Sequence, residues 1–491
     1  MRRVVALLTV TTLFAVGAGI VVGVSALAAG TQAIQISDDP YTDPGAQHKT
    51  QVEPDTFAFG RTIVSTFQSG RTFGGGSSNI GWATSTNGGA NWTNGFLPGT
   101  TPVSTPPGIY SRISDPAVAY DPEHRVWMIS TLGLRSSGGT DLLTSRSTDG
   151  GLTWNNPVNT APGPPGSFYD KNWITCDTTT TSPFYGNCYS QWDDANSGNL
   201  MLMSTSTDGG LTWGPPKSTA NNERGTIGGQ PVVLGSGKVV VPFLGNQGVE
   251  AFNSTDGGNT WSTPIVISSL SYHTPAGGIR AGVPLPSVEV RNPGLIVVAW
   301  PDCRFEPSCS ANDIVFSTSG NGTSWSAVQR IPLDPIGSGV DHFIPGLAVQ
   351  PQGTTNSTLI HLALAYYYYP VSNCNSSTCR LHVGFSFSIG GLNWSPPQTL
   401  AGPMQLSWLP STSSGRMVGD YISTSYSGNN AFPVYAVAQM PNPPPQFLEA
   451  MFTTQEPAMS FTGPTLAASS AGAKYGADHQ WRPLAGVTTA N

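Results

Sequence analysis

Charged residues make up only 10% of this 491-residue chain, whose formal net charge is −7. Beyond Arg2-Arg3 the sequence has no cluster of Lys or Arg, which argues against a nucleic-acid partner. Long helical patterns are also scarce after residue 30, whereas 58 Gly and 42 Pro separate many short apolar runs. We therefore predict an all-β fold.

Cysteine is sparse, but its spacing is informative. The sequence has neither a Cys-x-x-Cys motif nor a cluster of Cys with His, so a zinc site is not favoured. An even number of cysteines in an exported chain favours disulfides instead. The six cysteines form three close pairs, predicted as local disulfides: Cys176/Cys188, Cys303/Cys309 and Cys374/Cys379.

The N-terminus is typical of an export signal. Arg2 and Arg3 precede an apolar stretch from Val4 to about Ala29, and Ala26-Leu27-Ala28 fits the small-residue cleavage pattern. We interpret residues 1–29 as a cleaved signal peptide, with a retained membrane anchor as the alternative. Either reading predicts an extracellular protein, secreted or anchored facing outside, and membrane contact arises only if the segment is retained.

A short motif, Ser-x-Asp-x-Gly-x-Thr-Trp, recurs along the chain. It is complete at residues 147–154, 206–213 and 254–261, and it is partial at 85–92, with Asn87 for the Asp. Residues 318–325 and 387–394 are degenerate copies that have Gly320 and Ile389 at the acidic position. An Asp in a tight turn accepts backbone hydrogen bonds, paired glycines allow positive φ, and the Trp packs on a neighbouring sheet.

The spacing of these motifs is that of propeller blades with four strands each. Six units carry the motif and one further strand set follows Trp394. We predict a β-propeller of seven blades over residues 51–455, with six blades as the alternative. Residues 30–50 are expected to be a flexible N-terminus and 456–491 a low-complexity tail.

The scarce polar and aromatic residues concentrate in the loops on the propeller face opposite the repeated turns. Arginines that converge there would bind a planar carboxylate through paired hydrogen bonds, although inter-blade salt bridges are an equal alternative. The candidates for substrate binding are Arg112, Arg280, Arg304, Arg416, Asp170, Trp173 and His342.

Carboxyl groups near such arginines suggest acid/base chemistry, because a crowded carboxyl group holds a proton at working pH. Asp115, Asp341 and Asp420 each begin or precede an inner strand, and turn capping is the alternative role for Asp115 and Asp170. Tyr421 adjoins Asp420 and is a candidate nucleophile.

The repeated motifs are Asp boxes, and together with the export signal and the arginines they resemble the sialidase superfamily, in particular exported bacterial exo-α-sialidase-like proteins. The resemblance covers roughly residues 55–455, and its further motifs are segments 170–174, 301–304, 339–343 and 415–421. The Phe/Tyr-Arg-Ile-Pro motif of sialidases is missing; Gly60-Arg61-Thr62-Ile63 is the nearest string. The first arginine of the family's triad is therefore not assigned.

The resemblance implies a glycoside hydrolase that removes terminal acidic sugars, with Arg280, Arg304 and Arg416 as the carboxylate clamp and Asp115 or Asp341 as the acid. Two alternatives remain open. One is a uronic-acid lyase or exo-glycosidase that uses His273, His342 and Tyr367, and the other is a non-catalytic binder of glycans or proteins. We expect a monomer that acts on a glycan or glycoconjugate and needs no cofactor or metal, with structural calcium left open.

Overall fold

The computed structural model describes residues 32–351, 359–441, 446–457 and 465–469. By its contacts the chain divides into two units, residues 1–31 and 32–491. The first unit, and with it the predicted signal peptide, lies outside the described residues, as does most of the predicted C-terminal tail.

The strands come in successive antiparallel sets that follow the alternation of apolar runs and turns. The first half of the chain contains β1 (Ile34–Gln35), β2 (Ala46–Phe59), β3 (Thr62–Thr72), β4 (Ser77–Ser85), β5 (Thr93–Phe96), β6 (Arg112–Asp121), β7 (Val126–Leu134), β8 (Thr140–Ser147), β9 (Val158–Ala161), β10 (Tyr169–Cys176), β11 (Cys188–Asp194), β12 (Leu200–Ser206), β13 (Val232–Val233), β14 (Val239–Gly245), β15 (Gly248–Ser254) and β16 (Ile265–Ser268).

The second half contains β17 (Ser287–Arg291), β18 (Leu295–Asp302), β19 (Asp313–Ser319), β20 (Gln329–Arg330), β21 (Asp341–Val349), β22 (His361–Tyr369), β23 (Arg380–Ile389), β24 (Asn393–Trp394), β25 (Gln398–Gln405), β26 (Ser411–Thr412), β27 (Gly415–Arg416), β28 (Ser423–Ser427), β29 (Asn430–Ala438), β30 (Glu449–Thr453), β31 (Glu456–Pro457) and β32 (Leu466–Ala467). Short 3-10 helices occur at Ala195–Ser197, Ala276–Gly278, Pro307–Cys309 and Leu406–Trp408. The prediction of an all-β propeller is confirmed.

The predicted numbers of blades, seven and six, are wrong. Among the described residues five sheets have four or more strands, and the propeller arrangement has five blades. They are the eight-stranded sheet β2–β9, β13–β16, β17–β20, β21–β25 with β32, and β28–β31 with β1.

Two features lower the count. Ser77 of β4 pairs with Ile113 of β6, and this single bridge merges two expected blades into one eight-stranded sheet. The set β10–β12 has three strands, because the chain after Trp213 reaches β12 only through the isolated bridge between Met203 and Lys217. The strand sets follow one another along the chain as expected, but hydrogen bonding groups them into sheets that differ from the predicted blades.

The repeated turns follow the third strand of their sets, and those after β4, β8, β15, β19 and β23 lead into a fourth strand. After β8, Asp149 Oδ1 accepts the backbone N–H groups of Leu152 and Thr153, both at 3.0 Å. The Ser147 hydroxyl donates to the same carboxylate at 2.8 Å and accepts the Gly151 N–H at 2.9 Å. The carboxylates of Asp208 and Asp256 accept equivalent bonds. These contacts fix each turn locally.

The degenerate repeat at residues 318–325 lacks the acid, as expected, but keeps a polar anchor one position later. Gly320 occupies the expected position, but the neighbouring Asn321 takes over the function. Its Oδ1 accepts the backbone N–H groups of Thr323 and Ser324, both at 2.9 Å. A turn shorter by one residue therefore keeps the same hydrogen-bond pattern.

The N-terminal strand β1 joins the sheet of the C-terminal strands. Ile34 pairs with Thr453 and Gln35 with Phe452 of β30. The nearby Ser37 hydroxyl accepts the Met451 N–H at 2.8 Å and donates to Gln51. Strands from both ends of the described chain thus complete one blade.

All three predicted disulfides are confirmed, linking Cys176 to Cys188, Cys303 to Cys309, and Cys374 to Cys379. Disulfides persist in oxidising surroundings, so these three suggest an extracellular protein. Within the described part of the chain, no helix has the length and apolar character needed to cross a membrane.

Candidate functional site

Several inner strands share one irregularity. In β2 between Val52 and Asp55, and likewise within β6, β10 and β21, the pairing register shifts, and one residue at each of these shifts has positive φ. These residues are Glu53 (φ 56°), Asp115 (φ 47°), Lys171 (φ 47°) and Ile344 (φ 51°). A bulge re-aims a side chain and often lies beside a functional site.

The bulges of β2, β6 and β10 bring three charged side chains together. Lys171 Nζ lies 3.3 Å from Glu53 Oε1 and 3.4 Å from Asp115 Oδ2. It also lies 2.6 Å from Asp420 Oδ2 and 3.8 Å from Asp170 Oδ1. We call these five residues the Lys171 cluster. The Lys171 ammonium group thus lies within 3.8 Å of four carboxylates. Among these four side chains, that of Asp420 is the most exposed, at 10%.

Two arginines adjoin the cluster. Arg280 donates from Nε and Nη2 to the two oxygens of Asp420, at 2.8 and 2.6 Å. Arg71 is 1% exposed and donates from Nη1 to Gln68 Oε1 at 3.0 Å, while Gln68 itself donates to Glu53. A buried network of alternating charges therefore extends across the inner strands.

The electrostatics separate the carboxyl groups into two kinds. Burial raises the pKa of Glu53 to about 7, because the partial compensation by Lys171 is opposed by Asp115 and Asp420. Burial acts likewise on Asp420, but Arg280 and Lys171 outweigh it and hold the pKa of that carboxyl well below its usual range. Lys171 also outweighs burial at Asp115 and lowers its pKa. Of the carboxyl groups of Glu53, Asp115 and Asp420, that of Glu53 is thus the one that readily carries a proton at neutral pH.

Tyr421 lies beside this network. Its hydroxyl donates to the Pro116 carbonyl oxygen at 3.2 Å, and its ring meets the edge of Trp173 at 5.2 Å between centroids. Burial, followed by the charge of Glu53, raises the pKa of Tyr421, so the hydroxyl stays protonated at neutral pH. Of the residues singled out from the sequence, the fold brings together Asp115, Asp170, Trp173, Arg280, Asp420 and Tyr421.

The other predicted arginines have separate partners. Arg112 Nη1 donates to the Gly75 carbonyl oxygen, and Arg416 Nη1 donates to that of Leu409 at 2.8 Å. Arg304 binds the Asp302 carboxylate, with Nε 2.9 Å from Oδ1. Arg416 is linked to Arg280 only through the backbone, where its carbonyl oxygen accepts the Arg280 N–H at 2.6 Å. The guanidinium groups of Arg280, Arg304 and Arg416 thus share no partner.

Asp341 and His342 belong to a different group around Asn312. Asp341 Oδ1 accepts the Asn312 backbone N–H at 2.8 Å and its side-chain N–H at 2.9 Å. His342 Nδ1 lies 3.0 Å from the Asn312 carbonyl oxygen. His273 Nε2 approaches Asp341 Oδ2 at 3.8 Å, whereas Tyr367 bonds to the Ala436 backbone. The predicted acid Asp341 therefore does not meet the predicted acid Asp115.

A cavity of about 650 Å³ lies at the far ends of the inner strands, beyond the bulges. Its walls include Thr56, Thr175 and Thr424, and Glu289 is its acidic residue. Burial, together with the charge of Asp55, raises the pKa of Glu289. None of the residues of the Lys171 cluster lines the cavity. The cavity and the charged cluster therefore lie at different positions along the inner strands.

No family model matches the chain. Among curated proteins, xyloglucanase Xgh74A of Acetivibrio thermocellus is 27% identical over 280 residues, covering 51% of this chain and 29% of that protein. The match thus spans less than a third of the relative's length.

Solved structures of similar arrangement include the Hadza microbial sialidase Hz136 at 12% identity, covering 87% of this chain and 93% of that one with a TM-score of 0.44. Trypanosoma rangeli sialidase, at 12% identity, covers 87% and 60% with a TM-score of 0.45. The α-L-arabinofuranosidase Arb93A from Fusarium graminearum, at 14%, covers 72% and 97% with a TM-score of 0.41. Sialidases are among these structures, as the predicted resemblance implies. At these identities the likeness concerns the fold alone.

Sequence reasoning missed Glu53, Gln68, Arg71 and the central role of Lys171. A signal for Glu53 was present: Val52-Glu53-Pro54-Asp55 has the same form as Ser114-Asp115-Pro116-Ala117, and both are bulges. Arg71 lies within strand β3 and has no comparable pattern. Its place beside Glu53 depends on pairing between strands.

Proposed function

We propose that the chain is a glycoside hydrolase and that the Lys171 cluster is its active centre. The observation that carries the proposal is the contrast between Glu53, whose pKa burial raises to about 7, and Asp420, whose pKa Arg280 and Lys171 lower. Neighbouring carboxyl groups with pKa values pushed apart are suited to act as acid and as charge stabiliser. The glycoside hydrolases among the matched proteins agree with this reaction class.

In this mechanism the protonated Glu53 carboxyl donates a proton to the glycosidic oxygen. Asp420 is ionised and attacks the anomeric carbon as the bond to the leaving oxygen breaks, and water then cleaves the resulting glycosyl ester with Glu53 as the base. Lys171 keeps Asp420 ionised and fixes it relative to Glu53, since its Nζ contacts both. Tyr421 stays protonated and positions Trp173 at the edge of the centre.

The separation of the two carboxyl groups predicts the stereochemical outcome. Glu53 Oε1 and Asp420 Oδ2 lie 3.3 and 2.6 Å from the same nitrogen, so they are no farther apart than the sum of these contacts. That limit is shorter than the ~6.5–9.5 Å of inverting enzymes, which place a water between the two groups. We expect retention of the anomeric configuration, measured by NMR of the first product; an inverted product would contradict this assignment.

We further propose that the substrate carries a terminal acidic sugar, as the resemblance to sialidases implies. Among the described residues, Arg280 Nη1 and Arg71 Nε are buried without a hydrogen-bond partner. Guanidinium N–H groups of this kind bind a carboxylate well. Phe73 is 58% exposed, and its carbonyl oxygen accepts the Ser413 N–H at 3.1 Å, which places an aromatic ring near the β26–β27 loop.

The test is release of a fluorescent aglycone by the purified chain from conjugates of sialic acid, uronic acids and neutral sugars. Glu53→Gln keeps the shape of the side chain but removes the acid, and we expect it to lower kcat by about 100-fold or more. Glu123→Gln changes an exposed carboxyl group and serves as the matched control. Equal turnover by both variants, or no turnover of any conjugate by the folded parent, would overturn the proposal. Turnover confined to neutral sugars would contradict the acidic specificity alone.

A further inference from the structure

A second buried charged group lies outside the Lys171 cluster, where β19, β20 and β21 meet. Arg330, the last residue of β20, has Nη2 2.6 Å from Asp313 Oδ1 and 2.8 Å from Asp334 Oδ1. The same nitrogen lies 3.9 Å from Glu306 Oε1. Three carboxylates thus surround one guanidinium group, and the proposed hydrolysis uses none of them.

His342 of β21 faces two of these carboxylates. One ligand atom each from Asp313, Asp334 and His342 can be chosen so that all three lie within 4.8 Å of one another. Bonds from a transition metal to such ligands measure about 2.0–2.2 Å, so one cation brings three ligand atoms to within about 4.4 Å. The side chain of Asp334, with 10% exposure, is the one with room to close the remaining gap.

The hydrogen bond of His342 prepares its other nitrogen for a metal. A carbonyl oxygen only accepts, so Nδ1 must donate its proton to the Asn312 carbonyl oxygen, 3.0 Å away. The lone pair of the neutral ring then lies on Nε2, the atom that binds metals in such an arrangement. Asn312 is itself held by Asp341 through bonds of 2.8 and 2.9 Å. This is an oriented outer layer of the kind found around metal-bound histidines.

The charge and hydrogen bonding of the group are incomplete without a cation. Asp313 is 1% exposed, and its Oδ2 has no hydrogen-bond partner among the described residues. Glu306 Oε1 also accepts no hydrogen bond there. Among the described residues Arg330 supplies the ion pairs of all three carboxyl groups, so a divalent cation would add positive charge beside the two oxygens that lack partners. Unpaired buried charge is costly, so a bound cation would stabilise the site.

We propose that Asp313, Asp334 and His342 bind one divalent transition-metal cation of the Zn²⁺ class. An imidazole nitrogen with two carboxylates suits Zn²⁺ and Co²⁺, whereas Ca²⁺ prefers six or more oxygens. The cation ties the loop that follows β20 to the starts of β19 and β21. Its ligands come from three separate segments of the chain, which explains why sequence spacing predicts no metal site.

The experiment uses the full chain after treatment with a chelator, titrated with Co²⁺ and followed by visible absorption and by metal analysis. We expect one equivalent of bound Co²⁺ with ligand-field bands that Zn²⁺ abolishes by displacement. His342→Gln and Asp334→Asn should each weaken Co²⁺ binding at least about 10-fold. His124→Gln is the matched control, because His124 Nδ1 also contacts a carboxylate, Asp121 Oδ2 at 2.6 Å, at a distance in sequence from the site.

Near-UV circular dichroism of each variant distinguishes the loss of a metal-binding side chain from the loss of the fold. Asp334→Asn changes only one atom of a partly exposed side chain, so it is expected to fold. Unchanged Co²⁺ affinity in both variants, no binding by the parent, or binding of Ca²⁺ in preference to Zn²⁺ would overturn the proposal. No sugar substrate enters the measurement, so the outcome is independent of the proposed hydrolase activity.

Discussion

At the scale of single residues, Lys171 compensates the charges of several buried carboxylates. Its ammonium group is buried among Glu53, Asp115 and Asp420, which would repel one another strongly without it. Removing one partner of a buried charge network leaves the others uncompensated and costs about 3–5 kcal/mol.

We therefore expect Lys171→Met to lower the free energy of unfolding by about 3–5 kcal/mol in urea denaturation. Lys217→Met is a suitable control, since the Lys217 ammonium donates to the Asn259 carbonyl oxygen at an exposed site. Comparable losses for the two variants would show that the cluster is less tightly coupled than its distances imply.

Glu53 gives a prediction for pH dependence. Because burial raises its folded-state pKa from 4.5 to about 7, Glu53 favours the folded state most when protonated, below pH 4.5. That contribution is lost as pH rises through about 7. Relative to Glu53→Gln, which cannot ionise, the parent should lose up to about 3 kcal/mol of stability between pH 4.5 and 8. Urea unfolding of both proteins across this range checks the sign; a difference that stays constant with pH would contradict it.

At the scale of elements, the repeated turns both close a hairpin and pack on the preceding strand set. A Cβ on Gly151 would lie 2.7 Å from Val64 Cγ2, whereas one on Gly150 would meet nothing within 4 Å. Both glycines have positive φ, 88° and 81° in chain order. Alanine substitutions at the two positions therefore distinguish the effect of backbone strain from the effect of contact between strand sets.

We expect Gly150→Ala to cost about 1 kcal/mol through backbone strain alone. Gly151→Ala should cost about 1–3 kcal/mol more, because Val64 must move. Thermal and urea unfolding of the two variants measure the difference directly. Equal losses would mean that the turns contribute little to contact between strand sets.

The strand sets and turns could be predicted from sequence because their signals are local: apolar runs, paired glycines and the Asp of the turn. The number of blades could not, because it depends on the bridge between Ser77 and Ile113, which no local pattern marks. The candidate site was predicted in part, since Asp115 and Asp420 lie at strand starts. Glu53, by contrast, sits inside a long strand, and its partners Gln68 and Lys171 come from other strands, which no local pattern links to it.

At the scale of the whole molecule, the described chain is closed by the contacts of Ser37. This side chain is 3% exposed and connects the segment after β1 to both Gln51 and the Met451 N–H. Ser37→Ala leaves that N–H buried without its acceptor, and we expect a loss of about 1–3 kcal/mol. The exposed Ser269→Ala is the control in the same denaturation experiment. A loss no greater than that of the control would show that this closure is dispensable.

The pairing of Ile34 with Thr453 also has a consequence for biosynthesis. Domains begin to fold as the N-terminal part leaves the ribosome, yet β1 has no partner until β30 has been translated. The pairing of β1 therefore forms only after residue 453 has been translated. Contacts so distant in sequence slow folding, so the edge of this blade stays open to a chaperone until β1 and β30 have paired.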